Sequence, residues 1–204
     1  MSGCCGNNCS LEQLQNRQRG TLKVVLAINA LMFLVMAIAA LYGKSTALLA
    51  DSMDNFGDAI TYGLSLYAVS KSAGIKAKVA QFKGWLIFLA AIAVVAQIVY
   101  KLFVPSMPQF EIMGAFSILG LCANSLCFFL LWRHRNEDIN MSSVWECSRN
   151  DIITNLAVFA TAGMVWLTGS AWPDIAVALV LVGYLLRSAT RVIYAARAEL
   201  LNTL

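Results

Sequence analysis

Charge is scarce in this chain. Asp, Glu, Lys and Arg make up 13% of its 204 residues, while 59% are hydrophobic. Soluble domains carry about 25% charged and about 45–50% apolar residues. One core of this size cannot hide so much apolar surface, which excludes a soluble globular domain. The same composition excludes a disordered chain. Histidine is scarcer still: the single copy, His134, sits between Arg133 and Arg135, where water solvates it. No Ser/His/Asp set falls on facing helices and no phosphate-cradling loop is present, so enzymatic activity is not expected. No basic stretch followed by an apolar run opens the chain, so no cleavable signal peptide is expected. There is also no concentrated basic face. The net charge is +4 and the charges fall between apolar runs, which argues against a nucleic-acid partner. Cysteine is present, but three of the six lie in the first nine residues and the rest within apolar runs, a spacing unlike a secreted disulfide scaffold.

What the chain does have is long apolar runs. Residues 24–43, 84–100, 112–132 and 152–173 are each near the length of a membrane-crossing helix. Two further runs are interrupted by charge: 46–70 by Asp51, Asp54 and Asp58, and 174–196 by Arg187 and Arg191. With the fifth helix extended back to about Ser142, the expectation is an all-α membrane protein of six transmembrane helices. Lys and Arg set its orientation. Arg17, Arg19 and Lys23 precede the first helix, Lys71, Lys76, Lys78 and Lys83 follow the second, Arg133 and Arg135 follow the fourth, and Arg187, Arg191 and Arg197 close the sixth. Only Lys44 and Lys101 lie on the other side, so both termini are expected in the cytoplasm of a bacterial inner membrane. The segment 71–83 is expected as a solvated connection, with a basic amphipathic stretch lying along the inner membrane surface as the alternative. The expected organisation is a cytoplasmic Cys-containing tail over 1–20, a six-helix transport domain over 21–200, and no soluble domain after it.

The interrupted second run carries the chemistry. At about 100° per residue, Asp51, Asp54 and Asp58 fall within roughly 60° of one another on one helix face. Each acid costs about 2.5–3.5 kcal/mol or more near a bilayer centre, so acids in such a place default to function. Asp51 lies less than two turns inside the outer helix end, where it either lines an access route or joins a polar seam. On the fifth helix Cys147, Asp151 and Asn155 again share a face, at i, i+4 and i+8. The second and fifth helices run in opposite directions, so Asp54, Asp58, Cys147 and Asp151 converge near the midplane. Carboxylate and thiolate in a four-ligand shell suit Zn(II) and Cd(II), and the thiolate disfavours Mg(II) and Ca(II); the alternative for Cys147 is a small buried apolar side chain.

The neighbours of that face have plainer roles. Glu146 and Arg149 are expected as an ion pair at the inner mouth, with Glu146 as a waystation for cations as the alternative. Cys122, Asn124 and Cys127 are expected in helix packing. Asp174, after Pro173, is expected to favour its own helix N-terminus. In the tail, Cys4, Cys5 and Cys9 form a compact soft-donor cluster, a candidate metal site set against the alternative of incidental thiols.

Asp54-Asn55-Phe56-Gly57-Asp58 and Cys147-Ser148-Arg149-Asn150-Asp151 resemble the cation diffusion facilitator family. The similarity covers roughly residues 20–198, and ALLADSMDNFGDAITYGLSLYAV is its most specific piece. The resemblance implies a dimer that exports divalent cations, usually Zn(II), from the cytoplasm in exchange for protons. By position it implies a transport site of Asp54, Asp58, Cys147 and Asp151. Family members commonly have His where this chain has Cys147, which leans preference towards Cd(II). They usually also carry a cytoplasmic metal-binding domain, so here the homodimer is expected to rest on membrane helices.

The expected mechanism is alternating access at this site, with metal ion and protons as competing occupants and no resident cofactor. Two other readings stand beside it. One is an organic-cation/proton exporter, which would want an aromatic cage around its acids. The other is a non-transporting membrane metal sensor that works through the Cys tail.

Overall fold

Lipid offers the backbone no hydrogen-bond partners, so a chain this apolar satisfies them within helices. The computed structural model describes residues 4–68, 73–133 and 139–202, excluding the side chains of several, among them 4–18, 139–144, Glu146 and Cys147. Its helices are α1 (Cys4–Tyr42), α2 (Thr46–Ala68), α3 (Ala73–Phe103), α4 (Phe110–Trp132), α5 (Ile139–Thr168) and α6 (Trp172–Asn202). No strand occurs among the described residues. The shortest, α2 and α4, have 23 residues each, about 34 Å of helix against a hydrocarbon layer of about 30 Å. Every helix except α2 is also apolar enough to count as a membrane span by itself.

Several boundaries differ from the sequence expectation. α1 continues back from the apolar run to Cys4, through a stretch whose Leu, Gln and Arg residues are good helix formers. The segment 73–83, expected as a solvated connection, forms the first turns of α3. α5 stops at Thr168 because Gly169 takes a left-handed φ of 57° and donates its N–H to Val165 O at 2.9 Å, an ordinary C-terminal cap. Pro173 then falls in the first turn of α6, where its missing N–H costs nothing.

The helices pack most closely as α1 with α2, α3 with α6 and α4 with α5. α2 also touches α3, α5 and α6, which makes it the innermost helix. Its only exposed large apolar side chain among the described residues is Tyr67. α1, α3 and α6 by contrast turn Leu34, Ile38, Leu89, Val99, Leu179 and Val180 outward, as lipid-facing surfaces do. The core joins Met36, Leu48, Val94, Val158, Ala178 and Val182 in one cluster. Between α3 and α6, Ala91 and Ala189 let the backbones approach. Gly84 is part of the same approach, since a Cβ there would lie 2.6 Å from Ile193.

One end of α2 is tied down tightly. Lys44 takes a positive φ of 52° to turn the chain, and Ser45 Oγ caps the helix by accepting the Leu48 N–H at 3.0 Å. Asp174 of α6 reaches across to the same end. It accepts from Ser45 Oγ at 2.6 Å, Thr46 N–H at 2.8 Å, Thr46 Oγ1 at 2.8 Å and Ala47 N–H at 3.1 Å. Lys101 of α3 completes the group with a 2.9 Å ion pair to Asp174 and a 2.7 Å bond to Lys44 O. Both charged side chains are buried. Lys101 is thus an internal counter-ion rather than a charge in water, and Asp174 caps α2 as well as sitting in the first turn of its own helix.

Candidate metal centre

The acids of α2 and α5 meet inside the bundle. Asp58 and Asp151 are both buried, and their carboxyls are within hydrogen-bonding reach of each other. Asp54 and Asp51 are near enough to Asp151 for their charges to interact through the low-dielectric interior. Each Cα–Cβ bond tilts towards its own helix N-terminus, so side chains on α2 and α5 lean in opposite senses.

Helix spacing supplies the supports. Tyr62, fully buried and one turn beyond Asp58, donates its hydroxyl to Asp58 Oδ2 at 2.8 Å. Asn55 and Asn155 play matching parts on the two helices. Asn55 Nδ2 donates to Asp51 O at 3.0 Å, and Asn155 Nδ2 donates to Asp151 O at 2.9 Å. The Oδ1 of each, together with Asp51 Oδ2, is buried without a hydrogen-bond partner. Asn155 is seated against Gly120 of α4, where any Cβ would collide with its Oδ1. The buried Cys127 Sγ, also on α4, receives Asn29 Nδ2 at 3.9 Å and lies in electrostatic range of Asp151 and Asp58.

Set against the sequence expectation, Asp54, Asp58 and Asp151 are neighbours in one interior, with Asp51 on its margin. The Cys147 side chain lies outside the described residues, as do those of Glu146, Cys4, Cys5 and Cys9, and so does His134. Arg149, expected to pair with Glu146, stands 5.6 Å from the centroid of the Trp145 ring. Among the described residues no three His, Cys, Asp or Glu side chains are close enough to hold one ion together. Sequence reasoning missed Tyr62, although its i+4 spacing from Asp58 was the available signal. It also missed the proximity of Cys127 and the Asp174 cap, which join distant segments and leave no local pattern.

The chain is 25% identical over 175 residues to the metal cation efflux system protein CzcD of Cupriavidus metallidurans. It is 26% identical over 175 residues to the cation efflux system protein CzcD of an Alcaligenes strain. Each alignment covers 79% of this chain and 55% of the relative, so the chain spans about half the length of the curated relatives it matches. The model of the cation efflux transmembrane domain matches residues 22–201. With nearly the whole chain inside that match, this integral membrane protein belongs to the cation diffusion facilitator family.

Proposed function

We propose that the protein exports divalent metal cations, Zn(II) and Cd(II), from the cytoplasm by proton antiport. Asp54, Asp58, Cys147 and Asp151 form the transport site. The observation that carries this is the Asp58–Asp151 contact between two helices in the bundle interior, backed by the Tyr62 hydroxyl. The names of the two relatives as metal cation efflux proteins support the same direction.

In this mechanism the site opens alternately to the two sides. Metal binds from the cytoplasm when the carboxyls are free of protons, and protons from outside displace it and are carried inward. Cys147 supplies the soft donor that favours Zn(II) and Cd(II) over Mg(II). Asp51, buried with one oxygen unpartnered, lines the access route on the side where α2 begins. Both termini lie in the cytoplasm of a bacterial inner membrane, and two copies associate through membrane helices. Cys4, Cys5 and Cys9 collect metal at the cytoplasmic face. Deleting residues 1–10 is expected to lower transport at scarce metal only, and unchanged transport there dismisses the collector.

The test of the whole is metal-dependent pH change in proteoliposomes, comparing Zn(II), Cd(II), Co(II) and Mn(II). Zn(II) and Cd(II) are expected to drive proton movement. Metal flux with no accompanying pH change removes antiport, and absence of metal flux removes the function.

A further inference from the structure

Where α6 passes α5 there is a cavity of about 280 Å³ lined by Asn150, Tyr184, Arg187, Ser188 and Arg191. Every one of these side chains carries an N–H or O–H donor. Asn150 Nδ2 donates to Tyr184 Oη at 3.3 Å, which closes one wall. Arg187 and Arg191 are one helical turn apart and exposed. Among the described residues the one ion pair is Lys101–Asp174, so neither guanidinium has a carboxylate partner there.

The depth of these groups identifies what they meet. α6 begins at Trp172, an exposed aromatic residue of the kind that marks a membrane boundary. Counted from there, Arg187 is about 22 Å and Arg191 about 28 Å along the helix. A hydrocarbon layer of about 30 Å puts both near the opposite boundary, where headgroup phosphates lie. Tyr184 and Tyr194, both exposed, bracket that level. One turn towards the hydrocarbon, Ile153 of α5 and Val180 of α6 are exposed apolar surface for an acyl chain.

We propose that this cavity binds the headgroup phosphate of an anionic phospholipid from the leaflet in which α6 ends. A phosphate accepts in all directions, which suits a pocket of donors, and paired guanidinium groups grip it bidentately. A zwitterionic lipid brings its own cation and leaves one arginine charge unanswered. Asn150 is the residue before Asp151, so a bound headgroup also steadies α5 beside the buried acids. The binding itself does not depend on what the acids carry.

The experiment is native mass spectrometry on the full chain in neutral detergent, titrated with phosphatidylglycerol or phosphatidylcholine. Phosphatidylglycerol is expected to be retained preferentially. The double variant Arg187→Gln/Arg191→Gln is expected to bind it roughly tenfold or more weakly, with Arg187→Lys/Arg191→Lys in between. If the Gln pair does not fold, Tyr184→Phe/Ser188→Ala keeps both charges and is expected to weaken retention roughly threefold. Equal retention of the two lipids, or undiminished retention in the variants, overturns the proposal. Displacement of the lipid by millimolar inorganic phosphate also overturns it, since the pocket would then be one for a soluble anion.

Discussion

Two buried polar regions of this molecule differ in how completely they are satisfied. At the end where α2 begins, Asp174 accepts five hydrogen bonds from four residues, one of them the Lys101 ion pair. Further along α2 and on α5, Asp51 Oδ2, Asn55 Oδ1 and Asn155 Oδ1 are buried with no hydrogen-bond partner, and two acids, Asp58 and Asp151, are within hydrogen-bonding reach of each other. An unmade buried hydrogen bond costs about 1–3 kcal/mol. The first region therefore holds the fold together, and the second leaves buried polar atoms unsatisfied.

Substitutions can break or sharpen that contrast. The largest effect is expected for Asp58→Ala, which should reduce Zn(II) efflux from loaded vesicles to the protein-free leak while the variant still inserts and purifies monodisperse. Unimpaired efflux would refute the site. Next, Lys101→Met leaves a buried carboxylate without its counter-ion and should lower stability by about 3–5 kcal/mol. Thermal unfolding in detergent reads this, and the folded fraction should transport normally. A transport defect in correctly folded Lys101→Met would erase the distinction between the two regions. Gly120→Ala forces Asn155 off its seat and should cost about 1–3 kcal/mol. Adding Asn155→Ala should recover most of that, and additive losses in the double-mutant cycle would show that the contact is not the cause. The smallest effect belongs to Tyr62→Phe. Losing one hydrogen bond to Asp58 should weaken calorimetric Zn(II) affinity by roughly 1 kcal/mol and leave the rate at saturating metal unchanged.

Much of this was legible in the residues alone. Apolar runs located the six helices because lipid imposes one length and one backbone solution. Helical periodicity put Asp51, Asp54 and Asp58 on one face, since that is a property of one segment. What escaped was long-range. Nothing near Asp174 in the chain announces Ser45 and Thr46, which lie 129 and 128 residues away. The helical backbone at 4–23 and 73–83 was hidden because polar residues there interrupt the hydropathy signal without breaking helix propensity.

The polarity of α2 has a consequence for how the protein is made. Three acids in one segment oppose its partition from the translocon into lipid by several kcal/mol. α2 follows α1 after only a tight turn at Lys44, and α1 is strongly apolar. The pair should therefore enter the bilayer as a helical hairpin, with α2 sheltered by its predecessor until α3 and α6 arrive to enclose it. An α2 segment presented to the translocon without α1 should fail to insert, whereas the α1–α2 pair should integrate and resist extraction by alkaline carbonate.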